Sequence, residues 1–489
     1  MGIRKKQILR PWGGNVSVIR IFLAATLVLL TASRALAKPN LVIILVDDMG
    51  YADIGPFGSK LNRTPNCDRM AVEAMRLTSF YGAPVCTPSR AQVLTGCYAK
   101  RVSLPDVIFP AAKIGLSAKE HTIAELLREQ GYATQCIGKW HVGDQKQFLP
   151  IHRGFDHYLG FPYSNDMGGE WDGAPDTPAN KRRPPMPLVR NDQVIETMNG
   201  AKQDRIEQIY TDEAVKFIRE HKAGPFFLYL AHTAVHVPLH PGAAFRGKSS
   251  NGLYGDWVEE VDASTGRVLD TIRELKLSDN TLVIFSSDNG PWLTQGRNGG
   301  TAYPLRGGKG GTYEGGMREP TIAWWPGHIA AGTSSDAVAG NIDLLPTFVK
   351  VAGGAVPTDR KIDGVDILPL LLGQTKQSPR GVQYYFDSNQ LQAVRKGPWK
   401  LAIAPQREQN RPAGQPQPMS KPPFPKLYNL DSEIGETKDV AAQHPDVVKQ
   451  MEKLVAEMNA DLGVKGKGPG VRPPDRVEDP KPLMMKKAS

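Results

Sequence analysis

Cysteine is scarce in this sequence: four thiols, Cys67, Cys86, Cys97 and Cys136, are spread over 489 residues. That is too few for a disulfide framework in a chain of this size, even in an oxidising compartment. A bilayer-spanning stretch is also lacking, because the uncharged, mostly apolar run from Ile21 to Ala32 is well short of the roughly 20 residues required. No internal repeat is visible. The body lacks net charge as well: residues 38–462 carry 47 basic and 47 acidic side chains, so the formal +10 of the whole chain resides in its two ends. A neutral body gives no basis for nucleic-acid binding. What remains, 40% hydrophobic and 22% charged, is enough for a large core and excludes a disordered chain or a disulfide-dense mini-protein.

The first end reads as an export signal. Residues 1–37 hold six basic side chains and no acid, with Arg4, Lys5, Lys6 and Arg10 leading the apolar run and Ala35-Leu36-Ala37 forming a small-x-small cleavage site. The mature chain is expected to begin near Lys38, without stable membrane insertion. No cysteine near residue 37 offers a site for lipid attachment. The expected location is periplasmic or extracellular in a bacterium, and lysosomal or secreted in a eukaryote.

After Pro39 the run Asn40-Leu41-Val42-Ile43-Ile44-Leu45-Val46 has the length and continuous apolarity of a strand covered on both faces, and it ends in Asp47-Asp48. The form recurs three times. Tyr132 to Cys136 leads into Ile137-Gly138-Lys139-Trp140-His141, Phe226 to Ala231 into His232 and His236, and Thr281 to Phe285 into Ser286-Ser287-Asp288-Asn289-Gly290. Helical patterns lie between, among them a capping box at Thr122-Ile123-Ala124-Glu125 and a 3.6-residue period from Val258 to Leu275. Alternating strands and helices imply an α/β fold with a large, mostly parallel mixed sheet sandwiched by helices. Ligands of such sheets collect beyond the carboxyl ends of the strands, so four runs that all end in polar residues point to one shared site.

The expected domains are a catalytic part over 38–375 and a smaller C-terminal α+β part over 376–462, the latter an antiparallel sheet plus a helix from Asp446 to Leu462. Residues 404–426 read as a surface excursion. The basic tail, 463–489, is expected to be disordered on its Pro, Gly and Lys content.

The most specific segment is Pro84-Val85-Cys86-Thr87-Pro88-Ser89-Arg90-Ala91-Gln92-Val93-Leu94-Thr95-Gly96. A thiol near a guanidinium reads either as an activated nucleophile or as a buried cysteine beside a structural arginine. The Cys86-x-Pro88-x-Arg90 core, its extension to Thr95-Gly96, and the stretch from Gly131 to His141 resemble the two signature regions of type I sulfatases. These are the formylglycine-dependent enzymes of the alkaline phosphatase superfamily, and the arylsulfatase A and N-acetylgalactosamine-6-sulfatase branch is the most similar. The resemblance runs from Pro39 to about Leu462.

It implies that Cys86 is oxidised to formylglycine (3-oxoalanine) by a formylglycine-generating enzyme. It further implies that Asp47, Asp48, Asp288 and Asn289, with position 86, hold one divalent cation. An all-oxygen carboxylate set favours a hard ion such as Ca²⁺. Family positions match at Arg90, Lys139, His141, Ser164, His236 and Lys309, with Lys139, Ser164, His236 and Lys309 on the substrate and His232 in a supporting place. The implied reaction is hydrolysis of a sulfate monoester, on a sulfated small molecule or glycan, through a formylglycine hydrate and a sulfo-enzyme intermediate. His236 with Lys309 protonates the leaving group, and His141 deprotonates the second hydroxyl. Two alternatives stand beside this reading: a phosphate or phosphonate ester hydrolase of the same superfamily, and a non-catalytic sulfated-glycan-binding protein in which Cys86 stays unmodified. N-terminal sequencing of protein exported by its host is expected to start near Lys38; a start at Met1 would refute cleavage.

Overall fold

The four apolar runs that end in polar residues are consecutive neighbours in one sheet. Thr281–Ser287, Asn40–Val46, Phe226–Ala231 and Ala133–Gly138 lie side by side, all parallel, so their carboxyl ends share one edge. In this computed structural model, residues 1–2, 7, 38–168, 183–409, 411, 414–464 and 466–484 are described. The apolar run and cleavage site of the expected signal segment, 1–37, lie outside them.

Among the described residues the sheet has 11 strands. Beyond Thr281–Ser287 it continues through antiparallel Arg318–Trp324 and Met75–Tyr81. Beyond Ala133–Gly138 it continues through parallel His157–Gly160 and then an antiparallel pair, Pro187–Arg190 and Gln193–Thr197. Strand alternation sorts the apolar runs into two cores. Leu41, Ile43 and Leu45 join Phe227, Tyr229, Leu282 and Ile284 on one face, while Val42, Ile44 and Val46 join Leu228, Leu230, Val283 and Phe285 on the other. Each such side chain, fully withdrawn from water, contributes about 1.5–3 kcal/mol. This double burial is the reason the runs carry no polar alternation.

Helices cover both faces. Gly252–Glu274 lays Val258, Val261, Val268, Leu269 and Ile272 on the second core, as their spacing predicts. Ile123–Glu129 covers the first and starts at the expected capping box: Thr122 Oγ1 accepts the Glu125 N–H, and the Glu125 carboxylate accepts the Thr122 N–H.

The C-terminal part is an antiparallel sheet of Gln383–Asp387, Gln390–Lys396, Trp399–Ala402 and Lys426–Asn429, against which Pro445–Leu462 packs Met451. The sequence pattern gives no sign of the last strand, since the excursion before it hides a segment of only four residues. One buried polar array joins this sheet to the large one. The Glu314 carboxylate accepts from Tyr81 Oη (2.6 Å), Tyr385 Oη (2.7 Å) and Lys400 Nζ (3.1 Å), and Arg318 Nη1 lies 3.4 Å away. Burial alone would raise the Glu314 pKa, yet Lys400, Arg395 and Arg318 hold it well below the usual carboxylate range.

The disorder expected of the tail is corrected for its described residues. Arg472 donates its N–H to the Arg101 carbonyl (2.7 Å) and clamps Glu120, the Asp475 carboxylate accepts from Ser117, and Asp475–Arg476 pairs with Ile114–Gly115. Composition misled here because the strap is held by specific polar contacts to a finished surface, joined by the packing of Val471 and Leu483 against it.

Removing one charge from a buried ionic array leaves its partners uncompensated. Glu314→Gln is therefore expected to lower unfolding free energy by about 3 kcal/mol, read from a urea midpoint; an unchanged midpoint would mean the array carries no net stability.

Candidate active site

Cys86 opens the helix Cys86–Thr95 at the carboxyl edge of the sheet and is fully buried. Its Sγ lies 3.4 Å from Asp47 Oδ1. Burial, reinforced by the charge of Asp47, pushes the thiol pKa well above its ordinary value, so the unmodified side chain is a poor thiolate nucleophile.

Three carboxylates crowd this edge. Asp47 receives Lys139 Nζ at 2.5 Å. Asp288 Oδ2 accepts from Arg90 Nε (3.0 Å) and lies in ion-pair range of Arg90 Nη2 (2.9 Å), while Arg90 Nη1 donates to the Lys139 carbonyl. Asp48 holds Lys309 Nζ at 2.7 Å and accepts from Asn289 Nδ2 at 2.7 Å. The charges do not balance evenly. Burial would raise Asp47, but Lys139, His236, Arg90 and Lys309 hold it far below the usual range; burial and the charge of Asp47 push Asp288 up, against Arg90 and Lys139. Behind them Glu319 is fully buried, and neither of its oxygens has a hydrogen-bond partner among the described residues. Burial first, then Asp288 and Asp48, drives its carboxyl well above the usual range.

Such a surplus of buried oxygen donors is what a cation relieves. Single ligand atoms of Asp47, Cys86 and Asp288 lie within 4.8 Å of one another, and so do those of Asp48, Cys86 and His236. Asn289 Oδ1 is buried and accepts nothing among the described residues, which leaves it available as a further oxygen ligand. The residues present therefore fit a cation.

Two histidines flank the cluster. His141 has φ of 61°, a left-handed conformation unusual for a non-glycine residue, as does Asp48 at 61°. His141 Nε2–H donates to the Ile108 carbonyl at 2.9 Å, which fixes the tautomer and leaves Nδ1 with an open lone pair. Burial, with Lys139 and Arg90 adding to it, lowers its pKa strongly and keeps it neutral. His236 Nδ1–H donates to the Val237 carbonyl at 2.5 Å, which turns Nε2 toward Ser164 Oγ (3.4 Å) and Asp48 Oδ2 (3.7 Å). Ser164 also accepts from Lys139 Nζ at 3.2 Å, so this loop serine belongs to the site.

Glycines bring the edges together. A Cβ on Gly138 would fall 1.8 Å from the Ala231 carbonyl oxygen, and one on Gly290 would fall 1.9 Å from that of Gly315. The second contact sets the Gly307–Gly316 segment, and with it Lys309, against the Asp288-Asn289 strand end.

Every site residue expected from the sequence thus lies in or beside one cluster. Sequence reasoning missed Glu207, whose carboxylate accepts from the N–H groups of Thr233 (3.0 Å) and Ala234 (2.7 Å) and lies 2.5 Å from His232 Nδ1. It sits on a helix with no motif to announce it, and it gives His232 its supporting place. Trp292 was missed too, although it follows Asn289-Gly290-Pro291 directly.

Comparison with known proteins agrees with this geometry. The Sulfatase family profile matches residues 39–355, and that of the C-terminal region of aryl-sulfatase matches 378–467. The chain is 40% identical to N-acetylgalactosamine-6-sulfatase of Mus musculus over 398 residues, covering 76% of this chain and 74% of that one. It is 38% identical to arylsulfatase A of Homo sapiens over 467 residues, covering 89% and 91%. Among solved structures, the PsFucS1 sulfatase from Pseudoalteromonas sp. superposes with a TM-score of 0.80 at 30% identity, covering 89% of this chain and 93% of that one. The chain belongs to the sulfatase family, close to the arylsulfatase A and N-acetylgalactosamine-6-sulfatase branch of the type I enzymes. It is a hydrolase of sulfate esters built around the cysteine-bearing site just described.

A divalent cation at about 100 times its Kd is expected to stabilise the fold by about 2.7 kcal/mol. Thermal melting with and without Ca²⁺ or Mg²⁺ reads this directly. The Asp47→Asn/Asp288→Asn double variant should lose the shift; no shift in the wild type would show that the cluster binds neither ion.

Proposed function

We propose that the protein is an exported sulfatase that removes sulfate from a sulfated carbohydrate, with position 86 matured to formylglycine by a formylglycine-generating enzyme. The observation that carries this reading is the placement of Cys86 at a helix start, buried, 3.4 Å from Asp47 and within ligand range of three carboxylates, Asp47, Asp48 and Asp288. A group so buried and so poorly ionised has little use as a thiol nucleophile, whereas a hydrated aldehyde there needs no thiolate. The sugar assignment draws support from the name of the relative N-acetylgalactosamine-6-sulfatase. Among the described residues no helix is long and apolar enough to cross a membrane, which accords with export.

A sulfate monoester resists attack because its anionic oxygens repel a nucleophile and its leaving oxygen departs poorly without a proton. Asp47, Asp48, Asp288 and Asn289, with position 86, would hold one divalent cation, Ca²⁺ by the hardness of the donors, and that ion would neutralise sulfuryl charge. The hydrate of formylglycine supplies two hydroxyls on one carbon, one to attack sulfur and one whose deprotonation expels sulfate.

The rest falls to the chain's own side chains. Arg90, paired with Asp288, and Lys139, on Asp47, set the position of the nucleophile and bring positive charge to the sulfuryl oxygens. His236 moves a proton at Nε2, since Nδ1 is committed to Val237, and Lys309 stands beside it on Asp48 to meet the departing oxygen. Ser164, between Lys139 and His236, orients both. His141 accepts the second hydroxyl proton at Nδ1, its open nitrogen. In this scheme residues 38–375 carry the chemistry and 376–462 brace the Lys309 segment from behind.

Cys86→Ala is expected to lower sulfatase turnover about a thousandfold or more while leaving the melting temperature unchanged. Mass spectrometry of the peptide spanning 77–101, from the native host, should find formylglycine at position 86. A clear preference for 4-nitrophenyl phosphate over 4-nitrophenyl sulfate would overturn the reading in favour of a phosphate ester hydrolase. Unmodified cysteine with no turnover would favour a glycan-binding role.

A further inference from the structure

We infer that Trp292 is a positioning residue that holds Lys309 and His236 side by side on the leaving-group side of the site. This rests on the proton-delivery roles proposed above. The indole centroid lies 5.3 Å from the His236 ring, with the planes at 56°, and Lys309 Nζ sits 4.5 Å from the indole centroid. One ring therefore touches both groups. Asp48 touches the same two, with Lys309 Nζ at 2.7 Å and His236 Nε2 at 3.7 Å.

The two braces act differently. Asp48 fixes the charged tip of Lys309, but it shares its oxygens with Asn289 and holds nothing of the long, flexible stem behind that tip. The indole face attracts the ammonium through its quadrupole, an attraction that grows away from water, at a ring that also meets His236.

The ring is itself fixed in place through its backbone. The Pro291 carbonyl accepts the Lys309 N–H at 2.9 Å, and the Trp292 carbonyl accepts the Gln295 N–H at 2.9 Å. A Cβ on Gly299 would fall 2.0 Å from the Trp292 carbonyl oxygen, and one on Gly308 would fall 2.5 Å from that of Pro291. The strand end bearing Asn289, the indole and the Lys309 segment thus move as one piece.

Positioning of this kind matters in proportion to how badly the leaving oxygen needs a proton. Phenolate needs one more than 4-nitrophenolate, whose charge spreads into the nitro group. Trp292→Leu is expected to slow kcat for phenyl sulfate about tenfold more than for 4-nitrophenyl sulfate, with KM changed little for either. Trp292→Phe, which keeps an aromatic face, should stay within about threefold of wild type on both. Trp292→Met provides a second ring-free variant should the leucine protein not fold, and melting temperatures check both. Equal losses on the two esters, or a phenylalanine variant as slow as the leucine one, would overturn the inference while leaving the sulfatase reading intact. A correctly matured wild type inert toward both esters and toward a panel of sulfated saccharides would overturn the sulfatase reading and this inference with it.

Discussion

The site depends on the crowding of buried carboxylates and their paired cations at one sheet edge. Asp47, Asp48 and Asp288 are withdrawn from water at one sheet edge and meet Lys139, Lys309 and Arg90 one to one. Pairing in a medium of low polarity is strong enough to keep Asp47 ionised, and the same medium makes its charge felt at Asp288 and the Cys86 thiol, which burial drives, like Glu319, toward their neutral forms. The same few oxygens offer a set of ligands that would fit a cation.

That array can exist because the sheet is buried on both faces. Parallel strands with apolar residues on both sides leave only their ends for polar groups, and four adjacent parallel strands align four ends. The backbone reaches the required shape at Asp48 and His141 only by adopting left-handed conformations, held there by contacts around them. Glu207 does comparable work from outside, capping two N–H groups of the segment that carries His236.

Much of this is legible in the order of the amino acids. The continuous runs at Asn40–Val46, Phe226–Ala231 and Thr281–Ser287 identify themselves because double burial removes polar alternation, and the motif around Cys86 names the chemistry through its resemblance to a known family. The features that stay hidden have a common physical cause. Glu207, Trp292 and the Lys426–Asn429 strand act through partners remote in sequence, and nothing in their own neighbourhood records that. The tail shows the same limit in reverse, since its composition describes how it behaves alone and not how it behaves beside Glu120 and Ser117.

That strap also bears on how the molecule is made. The bond between Arg101 and Gly470 joins residues 369 apart, and Arg101 is already gripped by Asp363 and Asp461. Contacts closing so long a loop form late, after the sheet they span is in place. The strap is synthesised after every strand of the large sheet, so it is among the last pieces to dock. Until translation has passed Arg472, the growing chain lacks the residues that pair with Glu120 and with the Arg101 carbonyl. A ribosome that stalled short of that point would release a body with all its sheet strands and an unfastened seam.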